Sequence, residues 1–95
     1  MLEKELERKL VKETKAFGGL CIKFTSPSLM GVPDRLVLLP RGKMGFVEVK
    51  RPGEIPRPLQ QKRMKQLSDL GFPVFVLDDE KKIAIILQAI GGDAE

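Results

Sequence analysis

The chain has 95 residues, a formal net charge of +4, and no histidine, tyrosine or tryptophan. Its single cysteine excludes an intrachain disulfide and a four-cysteine metal site. The missing histidine excludes Ser-His-Asp and Cys-His catalysis, an imidazole base and a His-ligated zinc. Catalysis must therefore come from Asp, Glu, Lys, Ser or Thr, with any metal held by oxygen atoms.

A length of 95 residues predicts a single domain over 1–95, since domains typically run to roughly 100–150 residues. Such a small domain buries only about 60–65% of its unfolded surface, so its core is modest. The 42% apolar and 32% charged composition is that of a soluble globular protein. No apolar run approaches the roughly 18 residues of a membrane span, and the charged N-terminus Met1-Leu2-Glu3-Lys4-Glu5 is no secretory signal. With an unpaired Cys21, these features predict a cytoplasmic protein with no membrane partner.

Charge is unevenly placed. Residues 41–65 hold eight basic side chains (Arg41, Lys43, Lys50, Arg51, Arg57, Lys62, Arg63 and Lys65) against Glu48 and Glu54, a local balance of +6. Residues 66–95 hold Lys81 and Lys82 against six acids, a balance of −4. A basic segment on a small domain suits a phosphate-bearing partner, and equally a solvated face.

In chain order, residues 2–16 read as a helix, with Leu6, Leu10, Thr14 and Phe17 at helical spacing and Gly18-Gly19 as its stop. Leu20–Thr25 alternates as a strand, Ser26–Gly31 is a loop, and Asp34–Leu39 is a second strand. A turn through Pro40–Lys43 leads to a third strand, Gly45–Lys50, antiparallel to the second. Three prolines keep residues 51–58 in a stiff loop. Leu59–Leu70 reads as a second helix with Leu59, Met64, Leu67 and Leu70 as its apolar stripe. Pro73–Asp78 reads as a strand covered on both faces. At the end, Ile83, Ile86, Leu87 and Ile90 fit a helix with Asp79 as N-cap; Ile83–Leu87 also fits an edge strand. The five phenylalanines read mostly as core. The expected architecture is α/β, a mixed central sheet flanked by helices in the order α-β-β-β-α-β-α.

The third strand carries the informative residues. Alternation puts Phe46, Glu48 and Lys50 on one face, with Val47 and Val49 on the core face. The hairpin returns Asp34 to the vicinity of Glu48 and Lys50, so two carboxylates and an ammonium converge at one end of the sheet. Close carboxylates raise each other's pKa, and a divalent cation removes that cost. Mg2+ takes oxygen ligands, usually one or two carboxylates, and a lysine beside it can orient water and stabilise charge on a phosphoryl group. The same spacing fits a plain surface ion pair of Glu48 with Lys50 or Arg35.

Pro33-Asp34, thirteen residues, then Glu48-Val49-Lys50 resembles the PD-(D/E)XK nuclease superfamily. Gly31-Val32-Pro33-Asp34-Arg35, Phe46-Val47-Glu48-Val49-Lys50-Arg51-Pro52-Gly53 and Pro58-Leu59-Gln60 together resemble one of its branches, the virus-type replication-repair nuclease (VRR-NUC) domain. The resemblance spans nearly the whole chain and implies a restriction-endonuclease-like core. It implies that Asp34, Glu48 and the Val49 backbone carbonyl hold Mg2+ or Mn2+, that Lys50 positions the attacking water, and that Gln60 serves the site from its helix. The residues agree on Gln60, which falls inside an apolar stripe and so needs a polar partner. A glutamate of the first helix would join them, Glu7 with Glu3 as the alternative.

Arg35, Arg51, Arg57, Lys62 and Arg63 are candidate DNA-phosphate contacts, and Gly31 with the Ser26–Met30 loop a place for close backbone approach. The expected activity is metal-dependent endonucleolytic cleavage of branched DNA such as Holliday junctions, by a homodimer of phage or bacterial origin that needs no organic cofactor. The alternatives are a less selective flap or duplex endonuclease, a non-catalytic DNA-binding protein and a small interaction protein.

Overall fold

A computed structural model describes residues 1–92. Residues 93–95, which close the predicted domain and hold two of the acids counted in the acidic tail, lie outside it. The elements are α1 (Glu3–Ala16), β1 (Leu20–Lys23), β2 (Arg35–Leu39), a single 3-10 turn (Pro40–Gly42), β3 (Lys43–Val49), α2 (Pro58–Asp69), β4 (Val74–Leu77) and α3 (Lys82–Gly91). This is the expected order. The C-terminal segment is helix rather than edge strand, and several boundaries move by one to three residues from the sequence reading.

The strands form one sheet in the order β1-β2-β3-β4. β1–β2 and β2–β3 are antiparallel, while β3–β4 is parallel. A parallel neighbour needs a crossover, and α2 supplies it. That requirement carries α2 to the sheet face opposite α1 and α3.

The core lies between the sheet and the α1/α3 layer. Leu6 and Leu10 of α1, and Ile83, Ile86, Leu87 and Ile90 of α3, close over Val37, Leu39, Val47, Val49 and Leu77. Thr14 is buried with them and satisfies its hydroxyl by donating to the Leu10 carbonyl at 2.7 Å. Gly45 lets α3 sit directly on β3, because a Cβ there would stand 2.7 Å from Ile90 Cδ1. At the start of α3, Asp79 accepts the Lys81 N–H at 2.9 Å, closing the turn ahead of the helix rather than capping the helix itself.

The opposite face is thinner, and several expectations fail there. Leu59 and Leu70 are exposed, and Gln60 is the single buried residue of α2. Met64 and Leu67 are half-buried, so the apolar stripe read from the sequence seats this helix only in part, over one edge of the sheet. β4 is correspondingly only half-covered along Val74–Val76. Of the phenylalanines only Phe46 is buried; Phe17 and Phe72 are exposed. Phe46 stacks between Phe24 and Phe72, with centroids 5.5 Å and 6.1 Å away.

Among the described residues no helix is long and apolar enough to cross a membrane.

With one principal core, a single cavity should be costly. Leu87, fully buried, should lose about 2–5 kcal/mol of stability on Leu87→Ala, much of the margin of a small domain. Exposed Ile85→Ala on the same helix should change stability by no more than about 0.5 kcal/mol. Urea denaturation followed by circular dichroism checks both.

Candidate active site

β3 ends by delivering Glu48, Val49 and Lys50 to one rim of the sheet. Arg35 pairs with Val47, so the same register sets Asp34 opposite Glu48. Asp34 is gripped twice: its carbonyl accepts the Phe24 N–H at 2.8 Å, and its Oδ2 accepts the Val49 N–H at 3.0 Å. Lys50 is anchored through its own N–H, which donates to the Leu77 carbonyl at 2.9 Å. The carboxylates and the ammonium are thus placed by backbone pairing on both sides of β3.

Glu48 is 0% exposed. Its Oε2 accepts from Gln60 Nε2 at 2.7 Å and stands 3.4 Å from Lys50 Nζ. Its Oε1 is equally buried and has no hydrogen-bond partner among the described residues. Gln60 uses its other end locally: Oε1 accepts the Arg57 N–H at 2.9 Å, satisfying a free donor at the start of α2. Pro58 occupies the first turn, where its missing N–H costs nothing. The helix start and the carboxylate are held by the same amide group.

Electrostatics at this rim are unfavourable for bare carboxylates. Burial pushes the Glu48 carboxyl above its ordinary range, and Asp34 adds to the rise against the pull of Lys50. Burial also pushes Asp34 up; the Val49 N–H opposes this, and Glu7 adds to it.

Glu7, half-buried on α1, accepts from Arg35 Nε at 2.9 Å. Glu3 and Glu7 line the same open cleft of about 510 Å³, and the Glu7 charge adds to the rise at the Asp34 carboxyl. Of the ion pairs weighed for Glu48, the one with Lys50 forms at 3.4 Å, but buried rather than on the surface, and the one with Arg35 does not form. Glu48 is buried, and Arg35 is occupied by Glu7.

The candidate phosphate contacts divide. Arg51 pairs with Glu54 at 2.9 Å across an exposed turn. Arg63 donates to the Met30 carbonyl at 2.7 Å and to Gln66 at 3.0 Å. Among the described residues, the exposed side chains of Arg57 and Lys62 have no bonding partner. Gly31 does not serve a ligand's approach: a Cβ there would meet Leu59 Cγ at 2.8 Å and Arg63 Cγ at 3.2 Å, so the glycine lets the loop lie on α2. Lys4, Arg8 and Lys23 also line the cleft beside Glu7 and were not singled out by sequence. Lys23 had a usable signal, since alternation along β1 gives it the face of Cys21.

Among the described residues no three acidic, cysteine or histidine side chains converge on one point. Two carboxylates and a backbone carbonyl at one rim nevertheless fit a hard divalent cation, which commonly takes only one or two carboxylates from the protein. The decisive fit is Glu48 Oε1, a buried acceptor that no donor among the described residues satisfies.

No family model matches the sequence. The chain is 48% identical over 84 residues to a protein named "Putative nuclease p44" from Acyrthosiphon pisum secondary endosymbiont phage 1, covering 88% of this chain and 90% of that one. A solved structure described as a VRR_NUC domain superposes with a TM-score of 0.85 at 32% identity, covering 90% of this chain and 94% of the other.

The chain belongs to the VRR-NUC family.

For this VRR-NUC domain, the raised Glu48 carboxyl has a stability consequence. A group that holds its proton more tightly when folded adds stability that is fully present below its unfolded pKa and is lost as pH rises through the folded value. In EDTA, Glu48→Gln should therefore melt higher than the parent at pH 7. The difference should shrink as pH falls toward the carboxylate range. Differential scanning fluorimetry of both proteins across pH 4–8 reads the sign directly.

Proposed function

We propose that this VRR-NUC domain, residues 1–95 acting as one unit, is a Mg2+- or Mn2+-dependent endonuclease that hydrolyses phosphodiester bonds in branched DNA such as Holliday junctions. The observation that carries the reading is the unsatisfied, buried oxygen of Glu48 beside Asp34 and Lys50. Asp34, Glu48 and the Val49 carbonyl would hold the cation. When bound, it supplies Lewis acidity at the phosphate, a role that needs no histidine.

The chain's own residues divide the remaining work. The Lys50 ammonium, half-buried and 3.4 Å from Glu48, can donate to an attacking water or to a phosphoryl oxygen as negative charge builds there. Gln60 fixes the orientation of the Glu48 carboxylate, and Glu7 adds negative charge near Asp34. Arg57 and Lys62 are free to meet phosphates, while Arg51 can leave its exposed partner at little cost.

A homodimer is supported by the sheet face that α2 leaves open. Leu20, Ile22 and Leu38 share that face and are exposed, Leu20 at 62%. An apolar face of this kind suits a second copy about a two-fold axis, which would set two sites on the two strands of a branched substrate. The resemblance to a phage protein and the lone Cys21 favour action in the cytoplasm of a bacterial host.

Incubation with four-way junction, flap, duplex and single-stranded DNA tests the reading. Junction cleavage should appear with Mg2+ or Mn2+ and vanish in EDTA. Asp34→Ala and Lys50→Ala should each lose roughly 100-fold or more in rate. Gln60→Ala should weaken Mn2+ binding by about 10–100-fold in calorimetry. Equal cleavage of all substrates would point to the less selective enzyme; salt-dependent binding with no cleavage and no metal site would leave only a DNA-binding protein.

Sedimentation equilibrium reads the assembly. The parent should sediment as a dimer and Ile22→Glu as a monomer, with the junction preference lost while cleavage of single strands persists.

A further inference from the structure

We propose that the Ser26–Gly31 loop is a fixed wedge whose exposed Met30, with Leu29 beside it, seats against unstacked bases at a DNA branch point. The inference rests on the nuclease reading for its purpose and names the feature of DNA that the site selects.

Met30 is 71% exposed and Leu29 42% exposed, on a loop only four residues ahead of Asp34. Single apolar side chains on a surface need no explanation by themselves. This pair differs because the backbone beneath it is tied down at several points. Arg63 Nε donates to the Met30 carbonyl at 2.7 Å, and the Leu29 N–H donates to Ser26 Oγ at 3.2 Å. Gly31, at φ +85°, turns the chain onto α2 closely enough that a Cβ would stand 2.8 Å from Leu59 Cγ and 3.0 Å from the Leu59 carbonyl oxygen. An arginine side chain, a serine hydroxyl and a left-handed glycine therefore immobilise the loop while two apolar side chains are kept out of the core.

The wedge and the catalytic rim share one support. Leu59 and Arg63, which hold the loop, flank Gln60, which holds Glu48. A base lodged on Met30 is thereby set in a fixed relation to the proposed site. The surroundings suit DNA: residues 24–33 carry no charge at all, and Lys62 on the first turns of α2 is exposed with no partner among the described residues, while Arg63 and Lys65 already have partners in Met30, Gln66 and Asp69. Methionine and leucine are among the residues that wedge between base steps, and methionine adapts its shape to an irregular surface. In continuous duplex such a wedge must break stacking. At a branch point stacking is already interrupted, so the penalty is smaller and branched DNA is favoured.

The test uses the full chain with Met30→Ser, the double variant Leu29→Ser/Met30→Ser, and Ile85→Ser on the far face as control. Melting temperatures verify folding. The Met30→Ser junction-to-duplex cleavage ratio should fall roughly tenfold, the scale of one buried apolar side chain lost, with single-strand cleavage kept. A binding readout needs no catalysis: with Asp34→Asn protein, 2-aminopurine at the branch point should brighten on binding, and the signal should disappear with Met30→Ser added. An unchanged ratio or an unchanged fluorescence gain overturns the wedge. So does a shift in oligomeric state on Met30→Ser, which would assign the loop to self-association. Absence of cleavage by the parent on every substrate would sink the nuclease reading, and the fluorescence experiment would still decide the wedge.

Discussion

A glutamate with no exposed surface must be accounted for by its neighbours, and at Glu48 they do so only by half. One oxygen is met by Gln60 and approached by Lys50; the other has no hydrogen-bond partner among the described residues. Much of the topology serves this residue. The antiparallel β2 brings Asp34 opposite it, and the parallel β4 obliges the chain to cross over through α2, whose first turn closes the lid. Desolvation and carboxylate repulsion are a local conflict within an otherwise consistent fold, the pattern expected where a site rather than a core has set the sequence.

The same economy governs the cations. A local balance of +6 over residues 41–65 suggests a broad basic face, yet the geometry disperses it. Lys50 faces Glu48, Arg51 is held by Glu54, and Arg63 is spent on a loop carbonyl and Gln66. Lys65 is paired with Asp69 at 2.8 Å, so among the described residues half of the eight, Arg41, Lys43, Arg57 and Lys62, are left for an outside partner. Counting basic residues therefore overstates the electrostatic footprint, because a guanidinium in a small domain is often a structural donor first.

How far the sequence could be read follows the strength of each local signal. Strand alternation and glycine punctuation locate all seven regular elements, since strand pairing and helical period act over a few residues. The placement of Asp34 against Glu48 was legible because a short hairpin allows only one return path. Gln60 was legible because an amide in an apolar stripe has to find a partner. The stripe itself held only by half: Met64 and Leu67 are partly covered, but α2 covers one edge of a narrow sheet, so Leu59 lies against the Gly31 loop and Leu70 faces open space. Phe72 failed as a core prediction for a related reason, since it packs on Phe46 over the thinly covered face, while Phe17 closes α1 at an open end of the helix layer beside Leu39 and Leu87. The Arg35–Glu7 pair and the Arg63–Met30 clamp join residues 28 and 33 positions apart, and periodicity does not report on contacts at that range.

The two-ended role of Gln60 sets a narrow chemical specification. One end must accept from the Arg57 N–H, the other must donate to Glu48, and two methylenes must span the gap. Asparagine has the right amide and one carbon too few. Glutamate reaches, but ionised it accepts at both ends and would bring a third negative charge to the rim. Leucine or methionine fills the volume and satisfies neither partner. Variation at this position is therefore limited twice over, by where a helix begins and by which way a carboxylate points, so a single mutation cannot alter one without disturbing the other.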